Sequence, residues 1–176
     1  MKNLEKNESR DGESYHFFCP YFFNKGIVYK MNTLPINNAL QKLQGNRINY
    51  SRAGGGAGSI LLIETEGNNS IWIWCYWEIL HFGNIIATAD DETTANIGKV
   101  AIAAKQLEGR IINRIELNTH TYDLHLYIDS EYELIVNKEA QPDDEHYPLN
   151  NWELIVSEVK KRYFVTCDLT VIQENT

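Results

Sequence analysis

The chain reads as an α+β fold of two related sheet-and-helix halves, mainly antiparallel strands with two short helices. Three observations predict this. Lys42-Leu43-Gln44-Gly45-Asn46-Arg47-Ile48 is echoed 64 residues later by Gln106-Leu107-Glu108-Gly109-Arg110-Ile111-Ile112. Each glycine closes a helical apolar period and opens an alternating one. Each alternating stretch leads to a Trp-Glu-aliphatic tripeptide, Trp77-Glu78-Ile79 or Trp152-Glu153-Leu154. A chain of 176 residues can bury a core as one domain. The halves, about 34–90 and 91–172, are therefore expected to share one compact unit spanning 15–176.

Residues 1–14 are polar and mixed in charge, which predicts a flexible N-terminus. Tyr15 to Phe23 is densely aromatic and predicts an edge strand or packed arm ending near Pro20; Ile27 to Met31 predicts another strand. After Pro35, Ile36, Leu40 and Leu43 fall on one helical face and Gly45 supplies the stop, so a helix is expected over 34–44. Ser59–Glu64 and Ser70–Trp77 read as strands about a turn at Gly67-Asn68-Asn69. A second helix is expected over 93–107. Asp90 and Asp91 suit its N-terminal dipole, and Ile97, Val100, Ala101, Ala104 and Leu107 form its apolar stripe. Beyond Gly109, Tyr122, Leu124, Leu126 and Ile128 alternate with polar residues. Tyr132, Leu134 and Val136 continue that inner face past a turn near Ser130. The first helix is expected to go with strands in 47–80 and the second with strands in 111–172.

The composition, 43% hydrophobic and 23% charged, is that of an ordinary globular protein. No apolar run approaches the roughly 18 residues of a membrane span, and the first residues carry no apolar leader. Cys19, Cys75 and Cys167 make neither an even disulfide set nor a metal-binding pair. A cytoplasmic protein without membrane association is the expectation.

Charge is the most directional signal. The formal net of −8 argues against a nucleic-acid partner, because phosphate contact needs lysine and arginine. Residues 1–109 carry a net of −1 and residues 110–176 a net of −7. Between Glu116 and Glu158 stand eleven acidic residues and one basic residue, Lys138. Such a run most often marks a solvated face. Here alternation sends Asp123, Asp129, Glu131 and Glu133 to the outer side of one hairpin, and like charges on paired strands cost several tenths of a kcal/mol per close pair. The segment 141–148 adds Asp143, Asp144 and Glu145 at a Pro-bounded site. Those seven acids, with Tyr127, His146 and Tyr147 as anchoring side chains beside Tyr132, form the candidate partner-binding surface.

Signals of catalysis are weak. The run Ala53-Gly54-Gly55-Gly56-Ala57-Gly58-Ser59 has no P-loop lysine and precedes a strand, whereas a phosphate cradle opens a helix; a flexible loop or glycine bulge is the expected reading. His120, Asp123 and His125 lack further ligands for zinc and do not share one strand face. Cys75 and Cys167 sit among apolar residues, where thiols pack and do not react. Trp72, Trp74 and Trp77 lack the flanking cations of a base-stacking platform. No catalytic residue, metal or cofactor is assigned.

Ala57-Gly58-Ser59-Ile60-Leu61, the strand Trp72 to Ile79, Asp90-Asp91 before a helix, and Tyr122 to Tyr127 leading to Asn151-Trp152 resemble small bacterial immunity proteins of contact-dependent and other polymorphic toxin systems. The likeness spans roughly residues 40–160. It implies a small, acidic, cytosolic protein that binds and blocks a cognate toxin domain, often a basic nuclease. Folds and contacts vary across that group, so no contact position carries over. A regulatory or structural module for another basic protein, and a small enzyme with dispersed site residues, remain the alternatives.

Overall fold

The computed structural model describes residues 33–137, 150–167 and 169–176. The expected strands at 15–23 and 27–31, and the acidic segment 141–148, lie outside them. The architecture is α+β, with two helices, α1 (Leu34–Gln41) and α2 (Lys99–Lys105), and two antiparallel sheets. In chain order the strands are β1 (Ile48–Arg52), β2 (Leu61–Thr65), β3 (Asn69–Ile73), β4 (Trp77–His81), β5 (Asn84–Thr88), β6 (Ile112–Leu117), β7 (Leu124–Ile128), β8 (Tyr132–Val136), β9 (Asn150–Val156), β10 (Lys161–Thr166) and β11 (Val171–Asn175).

The expected division of strands between halves is not the one found. One sheet runs β1-β2-β3-β9-β10-β11 and the other β5-β4-β8-β7-β6. Each half builds a three-stranded meander and then sends its next hairpin into the sheet of the other half. The exchange happens where one long strand was expected over Ser70–Trp77. That run breaks after Ile73, the amides of Trp74 and Cys75 both donate to the Asn151 carbonyl (2.9 and 3.1 Å), and Trp77 begins β4 in the second sheet. No glycine or proline marks the break, so periodicity alone reads through it.

The repeat explains how the exchange is locked. Gly45 and Gly109 take left-handed φ of 84° and 80°, a conformation that only glycine adopts without strain. Their amides cross to the other half: Gly45 donates to Ile112 O and Gly109 to Ile48 O, both at 2.8 Å. Ile48 and Ile112 return the bonds to Arg110 O and Asn46 O at 2.8 and 3.0 Å. Arg47 bridges its own repeat equivalent, Ile111, which places a pseudo-twofold axis between them. β1 and β6 each carry a register shift one residue past that point. The two tryptophans of the Trp-Glu tripeptides are wholly buried. Trp77, in the second sheet, donates its indole N–H to Ser59 O beside the first (2.7 Å), and Trp152, in the first, donates to Tyr122 O beside the second (3.0 Å).

The core lies between the inner faces of the sheets and under the helices. Ile36, Leu40 and Leu43 are fully buried, as their spacing predicts. The second helix is shorter than expected. Residues 92–94 are irregular and 95–97 form a turn, with Gly98 extended (ψ 153°) before Lys99, and Ile97 is consequently 71% exposed outside the stripe assigned to it. Val100, Ala103, Ala104 and Leu107 carry the buried side, α2 packing on β1 and β5 while α1 packs on β6. The glycine run after Ala53 is a packed turn, not a flexible loop. A Cβ at Gly54 would stand 3.0 Å from Thr93 O and 3.3 Å from the Ala101 methyl, so the run exists to bring this connection against α2.

Candidate functional site

Two hairpin tips meet at one end of the second sheet. The β4–β5 turn consists of Phe82 and Gly83, with φ of 48° and 73°, the pair of positive values that a type I′ turn requires. The Phe82 amide donates to Glu131 O at the β7–β8 tip (2.7 Å), which fixes the tips side by side. Between them lies an open groove of about 380 Å³ lined by Phe82, Tyr127, Asp129, Glu131, Tyr132 and Glu133, among others.

The carboxylates at this end are not bare. Arg110 reaches into the tip, its Nη1 3.2 Å from Asp129 Oδ2 and 3.3 Å from Glu131 Oε2. Its guanidinium lies 4.0 Å above the Tyr132 ring. The second oxygen of Asp129 accepts the Ile111 amide (3.1 Å). On the outer face, Glu133 meets His125 Nε2 at 2.8 Å, and the His125 ring stacks on Tyr127 at 4.0 Å. Arg114 lies over the Tyr127 ring at 3.8 Å while pairing with Glu116 (3.1 Å). Burial, and then the hydrogen bond its hydroxyl donates to Glu116 (3.1 Å), raise the Tyr127 phenol above its ordinary value. His81 stacks on Tyr132 (4.3 Å) and approaches Glu131 (3.7 Å). Counting histidine as neutral, four carboxylates face two guanidiniums, so the end stays acidic but far less so than the sequence run suggests.

The structure therefore brings together Tyr127, Asp129, Glu131 and Glu133 of the expected surface. Asp123 stands apart, at the opposite end of β7, where its carboxylate accepts the Thr121 hydroxyl (2.5 Å) in the 118–123 turn. It belongs to the turn and not to the tip. Asp143, Asp144, Glu145, His146 and Tyr147 lie outside the described residues. Asp129 is a structural residue as much as a surface one, since it holds both Arg110 and the Ile111 amide. The site residues missed are Arg110, His81 and Phe82. The Phe82-Gly83 pair between two apolar runs was the available signal for a two-residue hairpin.

A second groove, of about 250 Å³ and mixed polarity, lies between β5 and α2, lined by Ile86, Glu92, Ile97, Lys99, Ile102, Ala103 and Gln106. Gln106 joins the two, its Oε1 accepting the Tyr132 hydroxyl at 3.2 Å. Of the large apolar side chains exposed on the described residues, Phe82 (67%) lines the groove at the tips and Ile97 and Ile102 line the one beside α2, whereas Ile85 (53%), opposite Leu80, faces the other side of the sheet. Among the described residues no cluster of three metal-ligating side chains occurs, and no helix is long and apolar enough to cross a membrane. Comparison of the chain with known protein families, with curated proteins and with solved structures finds no match.

Proposed function

We propose that this chain is a binding protein that captures a basic protein domain at the paired hairpin tips, in the manner of an immunity protein neutralising a cognate toxin. The observation that carries the reading is Phe82. A large aromatic at positive φ, two-thirds exposed, touching the His81 ring at 4.5 Å and lining one groove with Glu131 and Glu133, is poorly explained by stability, because the turn strongly prefers Asn-Gly. It has the properties of an interface anchor: rigid, aromatic, and surrounded by polar groups that can form a rim. The surrounding carboxylates supply a field that speeds encounter with a cationic surface. Arg110 and Arg114 hold those carboxylates in place before binding, which lowers the ordering cost on association.

The test takes the product of the neighbouring reading frame, which this reading expects to be a toxin with a basic domain. Wild-type chain is expected to co-purify with that domain and protect cells expressing it. Phe82→Ala and Glu131→Lys/Glu133→Lys, each folded by circular dichroism, are expected to lose both. Protection that survives both variants would remove the tips from the interface and the proposal with them.

A further inference from the structure

We infer that the partner seats on the outer face of the second sheet, next to the tips, and presents there an aliphatic side chain flanked by two lysines or arginines. The inference rests on the protein-binding reading above and assigns the chemistry of the partner's contact surface.

Strand pairing fixes the layout of that face. Leu80 on β4 stands between Ile85 on β5 and Glu133 on β8, and Glu78, two residues before Leu80, stands between Thr88 and Ile135. Ile79 and Leu134, which point to the opposite side, are wholly buried, whereas none of these six is. The β4–β8 block is therefore a square with aliphatic side chains on one diagonal, Leu80 and Ile135, and carboxylates on the other, Glu78 and Glu133. Diagonal neighbours on paired strands lie about 7–8 Å apart. Ile85, 53% exposed, widens the aliphatic part toward the sheet edge. The square is continuous with the groove at the tips, because Glu133 lines that groove too, as does Tyr127 opposite it on β7.

The charges select the occupant. Glu78 accepts the Tyr76 hydroxyl (2.9 Å) and Glu133 meets His125 (2.8 Å), but among the described residues neither pairs with a lysine or arginine. Glu116, farther along the same face, has Arg114 at 3.1 Å. The carboxylates left for an outside cation are thus the two that flank the aliphatics. An aliphatic side chain laid across Leu80 and Ile135 gains from burial, and a cation to either side of it meets one carboxylate each. A second copy of the chain does not fit. Two such faces pressed together would bring four carboxylates into one contact without a lysine or arginine among them, and like-charge juxtaposition suppresses such pairing.

The smallest probe with this chemistry is hexamethylenediamine, an aliphatic chain with an ammonium at each end; suberate, with carboxylates in their place, is the control. Each is titrated into the isotope-labelled full chain and followed by amide resonances. The diamine is expected to shift Glu78, Leu80, Glu133 and Ile135 saturably, and suberate none of them. In parallel, the complex with the neighbouring reading frame's product is measured for Leu80→Ser/Ile135→Ser and for Glu78→Gln, which keeps the shape of the face. Each variant is expected to weaken it about tenfold or more, the scale of one interface anchor. Equal shifts from the two probes, shifts spread evenly over Asp90, Glu92 and Glu116, or no shift at all would overturn the inference. So would a complex that survives both variants but falls with Phe82→Ala, which would leave the tips alone as the site, or a dimer of the free chain that Leu80→Ser/Ile135→Ser dissolves. A complex indifferent to all three variants, or no complex with the wild-type chain, would overturn the functional reading as well.

Discussion

Asp129 and Phe82 both occupy left-handed backbone at neighbouring hairpin tips, for opposite reasons. Aspartate tolerates that conformation, and its carboxylate works inward, taking the Ile111 amide and Arg110. Asp129→Ala is expected to lower unfolding stability by about 2 kcal/mol, since it orphans a charge-assisted network, measurable by urea titration. Phenylalanine gains nothing from positive φ, so Phe82→Asn, which restores the preferred Asn-Gly turn, is expected to raise stability by about 0.5 kcal/mol. The same change is expected to weaken partner binding, a trade of stability against function. A Phe82→Asn variant that is less stable than wild type would show that the ring packs and does not wait for a partner. Asp91 gives a pH signature. The Lys99 ammonium first, and then the Thr88 amide, hold its carboxyl below the ordinary 3.8. Its folded pKa is thus lower than its unfolded one, so its stabilisation is complete above the unfolded value and fades as pH falls through the folded value. Asp91→Asn is expected to flatten the acid limb of the stability profile below about pH 4.

Among the elements, the hairpins β4–β5 and β9–β10 carry the architecture, because each is made by one half and used by the other. Their first strands hold Trp77 and Trp152, whose indoles reach carbonyls beside the opposite sheet. Replacing either by phenylalanine removes one buried bond and leaves a carbonyl short of its partner, so each variant is expected to lose about 1–2 kcal/mol. Equal losses in the two variants would follow from the pseudo-twofold. The Trp-Glu repeat was plain in the sequence, yet its reason was not: alternation reports which face of a strand is buried, and both partners of either tryptophan look alike to it. The following glutamates diverge for a reason equally hidden. Glu78 is half-buried and accepts the Tyr76 hydroxyl (2.9 Å), whereas Glu153 is 1% exposed and paired with Arg162. The start of α2 was misread because Ile97 fits the helical period, while the packed turn ahead of Gly98 depends on tertiary contacts. That misassigned isoleucine instead stands exposed at the groove beside α2.

For the whole molecule, the fold is two copies of one helix-and-meander unit fused about an axis at Arg47 and Ile111, with their second hairpins exchanged. Fold class, core spacing and the repeat were legible because they rest on local period and glycine placement. Strand exchange was not, because pairing between strands as far apart in sequence as β3 and β9 or β4 and β8 leaves no local trace in the pattern. A fragment ending at residue 91 leaves β3 and β4 each with one neighbour in place of two, so fragments 1–91 and 92–176 are each expected to lack native near-ultraviolet dichroism and to regain it when mixed. The acidic second copy has the same scaffold as the first. Its distinguishing chemistry is concentrated at the β7–β8 tip, where Arg110 organises part of the charge beside the exposed Phe82 contributed by the first copy. The most direct measurement is the association rate of this chain with the basic toxin domain proposed as its partner, across ionic strength. Wild type should associate fast at low salt and slow steeply as salt rises, with Glu131→Lys/Glu133→Lys slower and nearly salt-independent; identical salt slopes for the two chains would contradict the account.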